Sequence, residues 1–414
     1  MLKNAMSLLL CSATVVTSAL FVPHYANGFL INMWSLQAVR SLSGIASSRS
    51  GIGPAPVEHP REALWRGTYA LHYGDIDQSI VILSTRLDQN PGDYLVRNAM
   101  GIALDRKGNT TRAVEQWLLA GNIRAILDLG RRSYDAQHYD DALIAFQAVA
   151  DLMPAQTALG LSLAFWHNGQ SAEAETILRR ALLQMPAANE STVWRGSLGQ
   201  MLLGQKRWQD AYAVYHDAIE AAPNDPNAYI GMGRAQYYLR GLEAATASVE
   251  VGIVLSPTMS YGYEVMGDLY SIDKRFSEAD LWYQEGIAHT PNTARLFAKR
   301  VANWLAAADG AKATAIYSDM EIRFPDFMRT RDASSLYLGM AIHYRKVQDK
   351  VQAQHAAEKA VAVDPGTVWN WLVMGDIYEW LKRSPDALQA YQRALQIDPT
   401  NQTAKQAISR INGK

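Results

Sequence analysis

Prolines close helical segments of this chain at a fixed beat. Pro223, Pro257, Pro291 and Pro325 are each 34 residues apart, and so are Pro365 and Pro399. Pro91, Pro154 and Pro186 fall into the same series with altered spacing. Twelve residues before each proline stands a small or polar residue: Ser79, Ala142, Ala174, Ala211, Ala245, Ala279, Ala313, Ala353 and Ala387. Four residues further on comes a larger apolar one, including Phe146, Tyr215, Tyr283, Tyr317 and Tyr391. A period of that length with alanine fixed in phase is the length of a helix-turn-helix unit. One such unit exposes an apolar stripe that it cannot cover alone, so neighbours must stack and share a continuous core.

Glycine supports the same reading. Gly67, Gly101, Gly130, Gly199, Gly233, Gly267 and Gly375 recur inside the first helix of their units. A helix-interior glycine costs roughly 1 kcal/mol relative to alanine, so its recurrence implies close approach of a neighbouring helix.

The pattern resembles the tetratricopeptide repeat family. Its signature is complete in the last unit, through Trp371, Met374, Gly375, Tyr378, Ala387, Tyr391, Ala394 and Pro399. The preceding unit follows through Tyr337, Met340, Ala341, Tyr344, Ala353, Ala360 and Pro365. The resemblance implies an all-α chain, a right-handed superhelical solenoid of about ten helix-turn-helix repeats over residues 60–401. Residues 402–414 are expected to form a closing helix and tail. Two departures are expected to bend or loosen the array. Gly101 to Gly130 spans 29 residues, and after Pro325 the insertion DFMRTRDAS stretches the interval to 40 and divides the array unequally. The unit before that insertion carries bulky Val301 where its neighbours mostly carry a small residue.

The N-terminus is different in kind. No charge occurs from Ala5 to Val22. Eighteen residues at about 1.5 Å each make about 27 Å of helix, close to the hydrocarbon thickness of a bilayer. Residues 1–22 are therefore expected to be a signal-anchor or transmembrane helix, with a cleaved signal peptide, Thr17-Ser18-Ala19 supplying small residues for cleavage, and a buried helix of a soluble protein as the alternatives. Lys3 precedes the segment and the next basic residue is Arg40, which places the array on the non-cytoplasmic side of a membrane. In residues 23–59, Leu30, Trp34, Ala38 and Leu42 have helical spacing that suits an interfacial helix or one packed on the array. A Ser/Gly/Pro-rich linker, SSRSGIGPAPVEHP, follows.

Composition narrows function. Lys plus Arg total 39 against 40 Asp plus Glu, so the basic excess of a nucleic-acid binder is missing. Cys11, the single cysteine, can form no internal disulfide, and it lies in the apolar segment. Ten repeats leave no room for a catalytic domain. GMGR at Gly231 to Arg234 lacks the third glycine of a nucleotide loop, because residue 236 is Gln. His138 among Asp135, Asp140 and Asp141 reads as a solvated turn, and no histidine spacing suits a metal. No catalytic residue, metal, cofactor, nucleic acid or small-molecule substrate is therefore expected.

What remains is surface. In this family first helices line a concave groove that takes a protein or peptide, and the register carries that face to thirteen residues. They are Arg131, Trp166, Gln200, Arg234, Tyr237, Tyr238, Tyr261, Glu264, Asp268, Trp369, Asp376, Glu379 and Trp380. Aromatics mixed with arginine and carboxylates suit protein hot spots. The subset that clamps chaperone C-termini with a Lys/Asn pair is not matched, since Leu64 with Thr68 and Asn98 with Ile102 stand at those places. Trp371, Tyr378 and Tyr391 are expected to join helices, and Trp369 and Trp380 to face the groove. The sequence thus reads as a membrane-anchored interaction scaffold, similar to bacterial tetratricopeptide proteins of the envelope. A soluble exported scaffold and a carbohydrate- or peptidoglycan-binding module are the alternatives.

Overall fold

In the computed structural model the described residues are 60–413, apart from 188 and 292. The expected segments at 1–22 and 23–59 lie outside them. Among the described residues no helix is long and apolar enough to cross a membrane.

The described residues form α-helices and two short 3₁₀ turns, with no strands. Ten helical hairpins follow one another. They are α1 Pro60–His72 with α2 Ile76–Gln89, α3 Tyr94–Arg106 with α4 Thr110–Leu119, and α5 Ile123–Asp135 with α6 Tyr139–Val149. Next come α7 Pro154–His167 with α8 Ser171–Gln184, α9 Ser191–Gly204 with α10 Trp208–Ala221, and α11 Pro226–Arg240 with α12 Leu242–Leu255. Then follow α13 Ser260–Ile272 with α14 Phe276–His289, and α15 Ala294–Ala306 with α16 Gly310–Arg323. The last pairs are α17 Ser334–Lys346 with α18 Lys350–Val363 and α19 Val368–Trp380 with α20 Ser384–Ile397, before a final helix, α21 Gln402–Asn412.

The phase seen in the sequence has a direct packing cause. The side chain sixteen residues after each first-helix glycine lies across that glycine: Trp117 on Gly101, Phe146 on Gly130, Tyr215 on Gly199, Tyr283 on Gly267 and Tyr391 on Gly375. A Cβ at any of these glycines would overlap the ring. The alanines four residues before these side chains, Ala113, Ala142, Ala211, Ala279 and Ala387, have no exposed surface. Each small pair lets two helices meet closely enough to seat one large ring, which is the unit of stability in the array.

The turns inside the hairpins carry a second regularity. Seven residues after the first-helix position that glycine holds in most hairpins the backbone is left-handed, at Gly74, Gly108 and Gly169 but also at Gln137, Lys206, Lys274, Ala308, Gln348 and Lys382, with φ from 57° to 85°. A left-handed residue lets the chain reverse, and glycine alone adopts it without a steric cost. The sixth hairpin differs: α11 runs to Arg240, and Gly241, at φ 90°, is its whole turn.

The described chain falls into two compact units, one ending at Met153 and the other beginning at Pro154. The first unit holds α1–α6, the second α7–α21. The 40-residue interval, expected to divide the array, does not do so. The insertion folds into two 3₁₀ turns, Phe327–Arg329 and Arg331–Ala333, which bury Met328 and Ala333 in a core shared with Val301, Tyr317 and Tyr337. The Tyr337 hydroxyl donates to the Met328 carbonyl at 2.8 Å and ties the insertion down. Val301, expected to loosen its unit, is fully buried in the same core. Tyr317, sixteen residues further on, keeps the ring of the other hairpins in that core.

Candidate functional site

Within the second unit, polar side chains of successive first helices meet across the hairpins. On α9, α11 and α13 they form a triad. Arg234 donates to the Gln200 side-chain oxygen at 2.7 Å and to the Tyr261 hydroxyl at 3.2 Å, while the Gln200 amide donates to the same hydroxyl at 3.0 Å. Below the triad is Tyr215 of α10, wedged between Gly199 and Gly231 and 1% exposed. Burial pushes its hydroxyl far above the usual tyrosine range, with Tyr261 and Asp225 adding to the rise and Arg234 opposing it. That hydroxyl has no hydrogen-bond partner among the described residues.

On α13 and α15 the charges are already paired. Glu264, 5% exposed, holds Arg295 at 2.7 Å and Lys299 at 3.3 Å. Asp268 takes Lys299 at 2.6 Å and the Tyr283 hydroxyl at 2.7 Å. A similar cluster closes the array. Tyr391 donates to Asp376 at 2.6 Å, Arg345 stands 4.0 Å from Asp376, and Arg410 of α21 grips Glu379 through two contacts at 2.6 and 3.0 Å. Glu264, Asp268 and Glu379, read from the sequence as groove carboxylates, are thus largely committed to neighbouring first helices and to α21. The cations that neutralise them went unnoticed, yet they have a sequence mark. Glu264 to Arg295, Asp268 to Lys299, Arg345 to Asp376 and Glu379 to Arg410 are each 31 residues apart, one repeat less one helical turn.

The aromatics divide in the same way. Tyr238 is half exposed and stacks on Trp208 with ring centres 3.9 Å apart and planes at 10°, and Tyr237 meets it edge-on at 5.1 Å. Trp166 is half-buried and lies over Gly204, packed with the α8–α10 core. Trp380 packs against the Tyr337–Ile377 core, with Lys350 above its ring, so most of it joins helices. Trp369 is 56% exposed. Trp371, expected to be a core ring, is only half-buried and donates its indole N–H to the Pro365 carbonyl at 2.8 Å. Arg131 lies in the first unit, exposed on α5 and paired with Asp128 one turn earlier at 3.2 Å.

Among the described residues, His216, Asp217 and Glu220 form the one group that could share a metal ion, and all three are exposed on α10.

Known proteins resemble parts of this chain. The tetratricopeptide repeat family matches at residues 127–191 and 338–402, and the described residues of both units form a series of tetratricopeptide-like helical hairpins. Hsp70-Hsp90 organizing protein 2 of Arabidopsis thaliana is 30% identical over 98 residues, 24% of this chain and 17% of that protein. The chloroplastic tetratricopeptide repeat domain-containing protein PYG7 of the same plant is 36% identical over 76 residues, 18% of this chain and 25% of its own length. The chain therefore spans a quarter or less of the curated relatives it matches. Among solved structures, a tetratricopeptide repeat protein of Parabacteroides merdae aligns at TM-score 0.42 and 16% identity over 62% of this chain and 98% of its own. The Cut9–Hcn1 assembly of the APC/C aligns at TM-score 0.42 and 12% identity over 94% and 97%.

Proposed function

We propose that this protein is a non-catalytic, membrane-anchored scaffold whose second unit binds a segment of a partner protein along its first-helix face. One observation carries the reading: the Arg234–Gln200–Tyr261 triad bridges three successive first helices on a face where Glu264 and Asp268 are already neutralised. A built polar surface with exposed Tyr238 and Trp369 has the makeup of a protein hot spot, where aromatics and arginine dominate binding energy. The repeats also support it, since stacked hairpins present extended surfaces. The anchor rests on the uncharged run from Ala5 to Val22, and the orientation on Lys3.

Photo-crosslinkers placed at Tyr238 and Trp369 of the full chain in cells test the face, with Ile322, 81% exposed on the second helix α16, as control. Shared crosslinked species from the first two positions and none from Ile322 support the reading. Equal products from all three positions sink it. Alkaline extraction of membranes tests the anchor: full chain released into the soluble fraction would remove it, and N-terminal sequencing of that material would identify a cleaved export.

A further inference from the structure

We propose that Arg234, Tyr261 and the buried Tyr215 hydroxyl form a receptor for one acidic side chain of the bound partner segment. The inference rests on the protein-binding reading above and names the chemistry that this face recognises.

The repeats themselves supply the comparison. In the seventh hairpin the residue after the phase glycine is Asp268, which accepts from the ring tyrosine, Tyr283, and from a first-helix cation, Lys299. In the tenth the same position is Asp376, which accepts from Tyr391 and stands near Arg345. The fifth hairpin keeps the tyrosine, Tyr215, and a first-helix cation, Arg234, but its position after the glycine is Gln200. The tyrosine keeps its place in all three hairpins and the carboxylate does not; the cation comes from a different position each time, 31 residues after the carboxylate in Lys299, 31 before it in Arg345 and 34 after Gln200 in Arg234.

The consequences are visible in the hydrogen bonds. Arg234 donates to the Gln200 oxygen, and the 1%-exposed Tyr215 hydroxyl has no acceptor among the described residues. Tyr261 accepts from both Gln200 and Arg234, and no acceptor for its own hydrogen is found among the described residues. Among the described residues Arg234 pairs with no carboxylate and bonds only Gln200 and Tyr261, while Asp225 caps α11 by accepting from the Asn227 amide. The guanidinium is thus held by neutral acceptors alone, and the Tyr215 and Tyr261 hydroxyl hydrogens have no acceptor among the described residues. A carboxylate would give each a charge-assisted bond, roughly twice as strong as a neutral one. A side-chain carboxylate fits the comparison, because the sister constellations are filled by aspartates.

The experiment uses the full chain and three probe peptides: acetyl-Ala-Ala-Glu-Ala-Ala-amide, its Gln counterpart, and acetyl-penta-alanine with a free C-terminus. Binding is read from the Arg234 side-chain N–H resonance. The Glu peptide is expected to bind about tenfold tighter than the Gln peptide, and Arg234→Gln to abolish that preference. Gln200→Glu installs the missing acceptor within the chain, so it is expected to raise the melting temperature and abolish the preference together. Equal binding of Glu and Gln peptides overturns the proposal, and so does a Gln200→Glu variant that melts at or below wild type. Binding of the free-C-terminal peptide alone reassigns the site to a chain terminus and overturns the side-chain assignment. The crosslinks from Tyr238 and Trp369 read the protein-binding face independently, so either idea can fail alone.

Discussion

The Tyr283 hydroxyl donates a 2.7 Å hydrogen bond to Asp268, across the glycine over which its ring is seated. One side chain thus fills the hairpin core with its ring and fixes a first-helix carboxylate with its tip. The two contributions separate by substitution. Tyr283→Phe keeps the ring and leaves Asp268 with Lys299, and is expected to cost about 1–2 kcal/mol. Tyr283→Ala also empties the core and is expected to cost about 3–5 kcal/mol. Urea unfolding of both variants measures this; a Phe variant as stable as wild type would mean that the bond contributes nothing net.

Two glycines on α9, Gly196 and Gly199, are expected to respond to alanine with opposite signs. A Cβ at Gly199 would run into the Tyr215 ring, whereas nothing lies within 4 Å of one at Gly196. Gly199→Ala must displace a buried ring and is expected to destabilise by about 1–3 kcal/mol. Gly196→Ala gains only helix propensity and is expected to stabilise by about 0.5–1 kcal/mol. Thermal melts of the pair decide it, and like signs would refute the packing account.

Those glycines show what was legible in the sequence. Gly199, Ala211 and Tyr215 keep a phase that one-dimensional spacing reveals, because each repeat must solve the same packing problem. Hairpins and helix order follow from that phase. The left-handed turns at Lys206, Lys274 and Lys382 do not, because lysine has no preference for that backbone and only the flanking helices impose it. The site was legible by face but not by partner. Glu264 and Asp268 read as available acids until Arg295 and Lys299 are seen one turn back on the next first helix. The missing acceptor for Tyr215 depends on where Gln200 and Arg234 point, which no spacing states.

Alkaline pH should unfold the chain through its ring tyrosines. Tyr215, Tyr283, Tyr317 and Tyr391 are at most 5% exposed, and burial raises every one of them above the ordinary tyrosine value of 10.0. Their neutral form is favoured in the folded state. The stability linked to them is complete below pH 10 and is lost as pH rises above it, where only the unfolded chain ionises. Each contributes a slope of up to about 1.4 kcal/mol per pH unit. Urea midpoints are expected to be flat from pH 8 to about 9.5 and to fall steeply thereafter. The tyrosinate absorbance of these four rings should appear with unfolding; its appearance in a still-folded chain would contradict the burial argument.

Trp369 and Trp371, two residues apart on α19, are expected to separate binding from stability. Trp371 packs beside Leu372 and Tyr391 and donates to the Pro365 carbonyl, but it is only half-buried. Trp371→Ala is therefore expected to cost about 2 kcal/mol, less than the loss of a fully buried ring. Trp369 is 56% exposed, and its replacement by alanine is expected to move stability by less than about 0.5 kcal/mol. If Trp369 faces the partner segment, the same change weakens partner crosslinking from Tyr238 while the melt stays unchanged. Undiminished crosslinking in a Trp369→Ala chain would restrict the binding face to the α9–α15 region.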